Sequence, residues 1–272
     1  MGSGMVRNLA AAGHEVRLYA RTPERAAGLP AELCPTVAAA TDGADLAASC
    51  VTDSDDVRQV VEAILAGRAP PPILIELSTI APAVARELAA SCADRGVAYL
   101  DCPVSGGSQG AADGTLAVMC GGEAAALEGA TPALDAIGDP AKRTHCGPVG
   151  TGLVAKLVNN LLAGVISAGT AEALGLGQRA GLDPALLRQV VMASSGGSWQ
   201  LEFVFPRVLA GDHRPGFKAR DLRKDLRHAR ELDGRADLPL CDAVREIFRD
   251  VPDEMDYGAV ARRFMRLPEE MP

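Results

Sequence analysis

Short apolar runs alternate with stretches of helical periodicity through the first half of the chain. The apolar runs predict strands at 14–20, 44–51, 72–77, 97–100, 116–120 and 142–146. Apolar residues three and four positions apart predict helices at 55–66, 82–95 and 124–137. Because strands and helices alternate, we expect a parallel, doubly wound sheet with right-handed crossovers.

The pattern changes after Gly152, where no further strand is predicted. Helices are predicted at 153–179, 183–194, 198–209, 217–232, 239–250 and 256–266. Glycine and proline residues separate these helices. We therefore expect an α/β domain over 1–150 and an all-helical domain over 151–272.

Composition excludes some classes of partner. The length of 272 residues and the 48% hydrophobic content suffice for two domains with their own cores. The net charge of −8 gives no basic field that attracts phosphate backbones, so nucleic acid is not an expected partner. The seven cysteines are scattered and lack a C-x-x-C pair, which favours a reducing cytoplasm. The four histidines lack the spacing of metal ligands, so no metal is expected.

One predicted helix is apolar enough to raise the question of a membrane span. The segment 153–176 is the best candidate, but polar residues interrupt it: Lys156, Asn159, Asn160 and Glu172. We therefore expect a buried helix and no membrane insertion. No basic and then apolar signal peptide opens the sequence.

Lys156 and Asn160 lie four residues apart on this apolar helix, after a glycine-rich turn at 147–152. Residues at i and i+4 share one face of a helix, and burying two polar groups without partners costs several kcal/mol. The pair therefore predicts a site that faces a cleft. The alternative is that Lys156 extends to solvent while Asn160 caps or pads a helix contact.

A second candidate site follows the strand predicted at 97–100. Ser105, Gly106 and Gly107 offer three successive backbone N–H groups with little side-chain cover. Such a concave set of donors holds a carboxylate. The alternative is a tight turn in which the glycines supply positive φ angles, and it needs the same residues.

Five motifs together carry a resemblance that none of them carries alone. They are MGSGM at 1–5, LSTIAP at 77–82, PVSGG at 103–107, GTGLVAKLVNN at 150–160, and Phe217 followed by KDL at 224–226. In this order and at these intervals the chain resembles the β-hydroxyacid dehydrogenase family nearly end to end. The resemblance implies a Rossmann-type NADP-binding domain, a helical domain for substrate binding and dimerisation, and a homodimer or homotetramer.

The sequence departs from the family pattern at its start. Gly2 corresponds to the last glycine of the G-x-G-x-x-G turn, so the first strand and the first two glycines are missing. The resemblance places Met1 and Gly2 against the cofactor. Two alternatives remain open: a merely flexible N-terminus, and a non-catalytic scaffold that no longer binds cofactor.

The residues after the strand predicted at 14–20 indicate which dinucleotide binds. Arg21 and Thr22 lie about where an acidic side chain grips the ribose of NAD. A guanidinium instead suits the 2′-phosphate of NADP. We expect NADP(H), with NAD(H) as the alternative cofactor, unless Arg21 is simply an exposed residue at a strand end.

Val51, Ser78 and Thr79 follow predicted strands, at the edge where ligands sit in open parallel sheets. All three are candidate cofactor contacts, and the resemblance implies that Val51 and Thr79 line the nicotinamide ribose. Alternatively, Ser78 or Thr79 caps the helix that begins near Pro82.

The resemblance also implies the chemistry. In the family, the lysine matching Lys156 exchanges a proton with the substrate oxygen as hydride moves. By the same resemblance, Asn160 holds the substrate, Lys224 contacts the cofactor and Phe217 packs near the nicotinamide. A charged helix face such as 220–227 is otherwise solvated surface. We expect an oxidoreductase that interconverts a small β-hydroxy acid and its semialdehyde with NADP(H).

Overall fold

A computed structural model describes residues 1–232, 234 and 237–268. The chain divides into two compact units, Met1–Lys156 and Leu157–Pro272. The boundary between the units falls inside one long helix, Thr151–Arg179. The domain boundary near Gly150 stays a prediction.

The first unit alternates strands and helices. Its elements are α1 (Gly2–Ala11), β1 (Arg17–Leu18), a 3-10 turn (Pro23–Ala26), β2 (Glu32–Leu33), α2 (Val37–Thr41), β3 (Ala47–Ser49), α3 (Ser54–Leu65), β4 (Ile73–Glu76), α4 (Pro82–Ala93), β5 (Ala98–Asp101), β6 (Val104–Ser105), α5 (Gly107–Asp113), β7 (Leu116–Gly121), α6 (Ala124–Ile137) and β8 (Gly138–Gly147). The helix α7 (Thr151–Arg179) begins in this unit.

Six strands form the main sheet, in the order β3-β4-β5-β7-β6, with β8 paired to β7. β3, β4 and β5 are parallel, with Ala47 opposite Leu74 and Ile75 opposite Leu100. β7 runs antiparallel to β5 and β6, whereas β8 is parallel to β7. β1 and β2 form a separate parallel pair. The predicted α/β class is confirmed, and the antiparallel pairing is confined to the β7 side.

The central strands face a helical layer on each side, because successive side chains of a strand point to opposite faces. Leu74 and Tyr99 pack with residues of α3 and α4 on one face. Ile75 and Leu100 pack with residues of α6 on the other face. Burial on both faces explains why these strands are continuously apolar in the sequence.

The second unit is helical. After α7 it contains α8 (Pro184–Met192), a π-helical turn (Gln200–Val204), α9 (Phe205–Leu209), α10 (Ala219–Glu231), α11 (Pro239–Phe248) and a 3-10 helix (Tyr257–Arg263). Its core includes the fully buried residues Phe205, Leu222, Leu226 and Phe248. In the described part of this unit the only β pairing is one isolated bridge, so the predicted all-helical class is confirmed.

Among the described helices, α7 alone is long and apolar enough to cross a membrane, by length and composition only. Leu153 and Leu157 have no exposed surface, and Ala171 is buried in the core of the second unit. The same length and composition are found in the core helix of a globular domain.

Several short strands and helices differ from the predictions in length or were not predicted. The strand predicted at 14–20 is reduced to Arg17–Leu18, because it pairs with β2 alone. β2, β6, α2 and α5 were not predicted, because elements of two to seven residues are too short for a clear period. The segment after Met1 forms the ten-residue helix α1, so the flexible N-terminus is wrong.

Candidate active site

The long helix α7 begins on a buried carboxylate. Asp101, at the end of β5, has no exposed surface. Its Oδ1 accepts the N–H of Gly150 at 2.7 Å, and its Oδ2 accepts the N–H of Leu153 at 2.9 Å. The N–H groups at the start of a helix have no acceptor within the helix, and the Asp101 carboxylate accepts these two. Burial raises the pKa of the Asp101 carboxyl, and the N–H donors oppose that rise.

Two glycines make room for this contact. A Cβ on Gly121 would collide with the carboxylate of Asp101. A Cβ on Gly152 would lie 2.7 Å from the carbonyl oxygen of Asp101 and 2.9 Å from the backbone nitrogen of Gly121, closer than real Cβ contacts. The first turn of α7 therefore packs directly on the backbone at the ends of β5 and β7.

Lys156 lies one helical turn beyond Leu153, so the Asp101 contact holds the part of α7 that carries it. Lys156 exposes only 7% of its surface. A lysine that extends to solvent leaves its ammonium exposed, so that alternative is wrong for Lys156. A buried lysine in a mostly apolar helix is a candidate functional group on physical grounds.

In the second unit, Asn160 belongs to a chain of polar contacts. Its Nδ2 donates to Oδ2 of Asp225 at 2.6 Å, and its Oδ1 accepts from Nδ2 of Asn159 at 3.0 Å. The other oxygen of Asp225, Oδ1, lies 3.3 Å from Nζ of Lys224. The Lys224 side chain is only 12% exposed, so the solvated-surface alternative is wrong for this residue. Asp225 thus joins two predicted site residues, Asn160 and Lys224.

Phe217 precedes α10 in a segment held by another buried carboxylate. Oδ2 of Asp256 accepts the N–H groups of Gly216 and Phe217 at 2.8 and 3.1 Å. The Phe217 ring packs edge-on against Tyr257, with ring centroids 5.8 Å apart. Burial raises the pKa of the Tyr257 hydroxyl, so the phenol stays neutral at physiological pH. The contact between Phe217 and the nicotinamide stays a prediction.

The segment of Ser105, Gly106 and Gly107 is a glycine turn between two elements. Ser105 ends β6, and the two glycines have φ angles of 138° and 65°. Residues that carry a side chain rarely adopt these φ angles, so the backbone conformation requires glycine at both positions. The turn leads into α5, whose first N–H groups have no acceptor within the helix. Carboxylate binding by this segment stays a prediction.

Ser78 joins the ends of two parallel strands. Its Oγ accepts the N–H of Val51 at 2.8 Å, and its own N–H donates to Oε1 of Glu76 at 2.7 Å. Val51 and Ser78 therefore meet at the ligand-binding edge of the sheet, and half-buried Thr79 follows. The helix-cap alternative is wrong, because α4 has Ala81 at its N-cap and no side-chain cap bond.

A cleft of about 1340 Å³ opens in the first unit. Four predicted cofactor residues line it: Gly2, Arg21, Thr22 and Val51. The Arg21 side chain is 77% exposed, and its Nη1 lies 2.9 Å from Oδ1 of Asp56. Met1, at the chain terminus, is exposed.

These residues fit the polar parts of a dinucleotide. Gly2 begins α1, and the N–H groups at a helix N-terminus attract phosphate. Arg21 lies just beyond the end of β1, with an exposed guanidinium that suits a phosphate. The carboxylate of Asp56 competes with any phosphate for this guanidinium.

Metal ligation finds no support in the described part of the chain. No group of three or more His, Cys, Asp or Glu side chains there is placed to hold a metal ion. All seven cysteines are free thiols.

Two family models cover nearly the whole chain. The NAD binding domain of 6-phosphogluconate dehydrogenase matches residues 1–149, and the NAD-binding domain of NADP-dependent 3-hydroxyisobutyrate dehydrogenase matches residues 150–263. A 3-hydroxyisobutyrate dehydrogenase of Pseudomonas aeruginosa is 39% identical over 246 residues, which cover 83% of this chain and 80% of the relative. The chain belongs to the β-hydroxyacid dehydrogenase family.

Two further comparisons agree with this assignment. An NAD-dependent L-serine dehydrogenase of Pseudomonas aeruginosa is 40% identical over 244 residues, covering 85% of this chain and 81% of the relative. The structure of a Mycobacterium tuberculosis 3-hydroxyisobutyrate dehydrogenase with L-serine matches with a TM-score of 0.86 at 31% identity, covering 97% of this chain and 95% of the other.

These β-hydroxyacid dehydrogenase relatives define the general activity. The chain is an NAD(P)-dependent hydroxyacid dehydrogenase that acts on CH–OH groups, and its cofactor is a nicotinamide dinucleotide. The non-catalytic scaffold is not supported.

Sequence reasoning missed the carboxylates that hold these residues in place. Asp101 and Asp225 lie beside or within the quoted motifs but had no predicted role. A signal was present for Asp225, because helical periodicity puts it on the same face as Leu222 and Leu226, which are fully buried. A charged residue on the apolar face of a helix requires a buried partner.

Proposed function

We propose that the enzyme interconverts a small β-hydroxy acid and its semialdehyde with NADP(H), and that Lys156 is the proton donor and acceptor. The observation that carries the proposal is the burial of Lys156 on a helix whose start is bound by Asp101. The bound cofactor supplies or accepts the hydride. Family membership supports this chemistry.

Lys156 acts on the oxygen of the reacting carbon. As the carbonyl is reduced, its oxygen gains negative charge, which an ammonium stabilises by its field and then neutralises with a proton. In the oxidative direction the neutral amine takes the hydroxyl proton. Exclusion of water strengthens both effects, because charges interact more strongly in a medium of low dielectric constant.

We assign the substrate carboxylate to the N–H groups of Ser105, Gly106 and Gly107. Positive φ angles at both glycines turn this backbone, and no Cβ covers the N–H groups of the glycines. Asn160 has the separate role of orienting a substrate oxygen. Its amide is suited to this, because one N–H is bound by Asp225 and the second remains for a ligand.

The substrate class follows from the chemistry that the named relatives share. 3-Hydroxyisobutyrate and L-serine both carry a carboxylate and a primary alcohol on the β-carbon. The test is turnover of a panel of such acids with NADP⁺ and NAD⁺, with the α-hydroxy acid lactate as the control. We expect kcat/KM for the best β-hydroxy acid to exceed that for lactate by at least about a hundredfold. No turnover of any β-hydroxy acid would contradict the substrate class.

Replacing Lys156 by alanine tests its role. We expect kcat to fall about a thousandfold, because proton transfer is lost, while the Kd of NADPH in a fluorescence titration stays nearly unchanged. Lys142→Ala, at a lysine of β8 whose side chain is 57% exposed, is the matched control and keeps kcat. Equal losses of turnover and of NADPH affinity would show that Lys156 supports the cofactor site instead.

We further propose a homodimer or homotetramer in the cytoplasm. The second unit exposes large apolar side chains, which an assembly would cover. The free thiols of all seven cysteines suit a reducing compartment.

A further inference from the structure

A row of buried polar side chains crosses the main sheet at the ends of its parallel strands. Ser49 of β3 lies opposite Glu76 of β4, and Glu76 lies opposite Asp101 of β5. Ser49 is 5% exposed, and neither carboxyl group has any exposed surface. Residues opposite each other in neighbouring strands point to the same face of a sheet. Because a buried polar group without a partner is costly, each of these carboxyl groups requires groups to bind.

The two carboxyl groups bind different parts of the first unit. Asp101 accepts N–H groups at the start of α7. Glu76 instead binds a residue close to it in the chain, because its Oε1 accepts the N–H of Ser78 at 2.7 Å. This bond fixes the turn of the backbone directly after β4. Since Glu76 has no exposed surface, it acts on a ligand only through the residues that it binds.

Ser78 connects this turn to the segment that follows β3. Its Oγ accepts the N–H of Val51 at 2.8 Å, and the residue is only 4% exposed. A buried hydroxyl that already binds a backbone N–H is suited to hold two segments together. Direct contact with a ligand then falls to its neighbours, because Val51 is 36% exposed and Thr79 is half-buried.

Two further hydrogen bonds connect the same two segments. The N–H of Leu77 donates to the carbonyl oxygen of Ser49 at 2.8 Å, which continues the parallel ladder. The N–H of Ala81 donates to Oγ of Ser54 at 3.4 Å, which is long for a hydrogen bond. The short bond between Ser78 and the backbone beside it therefore fixes the segments beyond the ladder, at the edge of the sheet where ligands bind.

We propose that Glu76 and Ser78 are positioning residues for the nicotinamide half of the cofactor. Glu76 fixes the N–H of Ser78, and Ser78 fixes the N–H of Val51. Val51 and Thr79 are thereby held in place at the ligand-binding edge. Such supporting contacts change affinity without touching the ligand, because small displacements of binding groups are costly. The inference rests on the expected contact of Val51 and Thr79 with the nicotinamide ribose, and not on the substrate or on Lys156.

The first measurement is hydrogen–deuterium exchange at single amides of the cofactor-free chain. Ser78→Ala removes the hydroxyl, and Glu76→Met fills a similar volume without an acceptor. We expect Ser78→Ala to speed exchange at the Val51 amide at least about tenfold, and Glu76→Met to do so at both the Ser78 and the Val51 amides. The Leu77 amide, which binds the carbonyl oxygen of Ser49, keeps its rate in both variants.

The second measurement compares the whole cofactor with its adenine half. The cofactor is NADPH or NADH, whichever the unaltered chain binds more tightly, and the matching adenine half is adenosine 2′,5′-bisphosphate or ADP. We expect Glu76→Met and Ser78→Ala to raise the Kd of the cofactor about tenfold and that of the adenine half less than about twofold, because only the nicotinamide ribose meets Val51 and Thr79.

Two matched variants complete the test. Glu76→Gln keeps an oxygen acceptor for the N–H of Ser78, so we expect it to retain slow exchange at both amides and a Kd within about threefold of the unaltered value. Glu62→Met makes the same replacement at an exposed position of α3 and should change neither measurement.

Unchanged exchange at the Val51 amide in Ser78→Ala overturns the proposal, because Ser78 then does not hold this segment. Faster exchange with an unchanged Kd of the cofactor also overturns it. Equal losses of affinity for the cofactor and for its adenine half indicate general damage to the first unit and contradict a positioning role. If Glu76→Met does not fold, Ser78→Ala decides by the same two measurements. Neither measurement involves substrate, so failure of the proposed substrate class is seen separately.

Discussion

At the scale of single residues, two aspartates hold cationic side chains of the predicted site in different ways. Asp225 is 2% exposed and its partner Lys224 is 12% exposed, so water screens this ion pair little. Arg21 is 77% exposed and its pair with Asp56 contributes about 0–1 kcal/mol. The first pair is a fixed part of the fold. The second is weak enough for a ligand phosphate to replace the carboxylate.

Removal of the Asp225 side chain should destabilise the protein strongly. Asp225→Ala removes the acceptor of the Asn160 amide and one counter-charge of the Lys224 ammonium. We expect the free energy of unfolding in urea to fall by about 3 kcal/mol. Asp221→Ala on the same helix, where the side chain is 32% exposed, should change it by less than about 0.5 kcal/mol. Equal effects of the two substitutions would place Asp225 outside any buried network.

Cofactor preference should follow the charge at position 21. Arg21→Asp puts a carboxylate where a 2′-phosphate would bind, so we expect a change of preference from NADPH to NADH in a fluorescence titration. Asp56→Asn should lower the Kd of NADPH up to about fivefold, because it releases the guanidinium. Arg7→Asp, at an exposed residue of α1 that does not line the cleft, is the control. An unchanged NADPH preference in Arg21→Asp would remove Arg21 from the site.

Site residues were predictable from the sequence where a polar side chain interrupts a periodic pattern of apolar residues. Lys156 and Asn160 stood out for this reason, and both are buried. Asp101 was not assigned a role, because its partners are N–H groups of Gly150 and Leu153, about fifty positions further along the chain. Backbone donors leave no mark in a sequence, so only the fold shows that α7 starts on this carboxylate.

At the scale of elements, the contact of α7 with β5 and β7 decides where Lys156 lies. Gly152→Ala introduces a Cβ within 2.7 Å of the carbonyl oxygen of Asp101, and neither backbone segment is able to move cheaply. We expect a loss of about 1–3 kcal/mol in thermal unfolding experiments. We also expect kcat to fall at least about tenfold, because the turn that carries Lys156 shifts.

Gly169→Ala is the matched control on the same helix. A Cβ there meets no atom within 4 Å, and the position is exposed. Gly169 lies one heptad from Leu162 and Leu176, so both glycine variants are compared in the Leu162→Glu, Leu176→Glu background, where this face stays exposed. Alanine has the higher helix propensity, so Gly169→Ala should gain up to about 1 kcal/mol there. A loss of stability at Gly169 as large as that at Gly152 would mean that close packing against the strands is not the cause.

Long elements were predictable from their period, and short ones were not. The helix predicted at 153–179 is Thr151–Arg179 in the structure, because an apolar repeat over many turns leaves little ambiguity. β6 and α5 flank the glycine turn of Ser105 to Gly107 and have two and seven residues. The direction of β7 depends on which strands it meets, which local sequence does not encode.

At the scale of the whole molecule, the change of period after Gly152 was enough to predict an α/β unit and a helical unit. The sequence did not predict that β1 and β2 form a sheet apart from the main one, because this depends on which strands pair across the chain.

Exposed apolar side chains bear on how copies of the chain assemble. Apolar side chains that are at least half exposed lie along α7 and α8: Val158, Leu162, Leu176, Leu186 and Val190.

This apolar surface should be an interface between copies of the chain. Leu162 and Leu176 are two heptads apart on α7, so they share one face of the helix. Large exposed apolar patches are rare on monomers, so exposed leucines that share a helix face mark a candidate interface. We expect sedimentation velocity to show a dimer or tetramer for the unaltered chain and a monomer for the double variant Leu162→Glu, Leu176→Glu. Leu240→Glu, at a 65% exposed leucine of α11, should leave the assembly intact. If the unaltered chain is a monomer at micromolar concentration, this surface does not bind a second copy, and its apolar residues need another explanation.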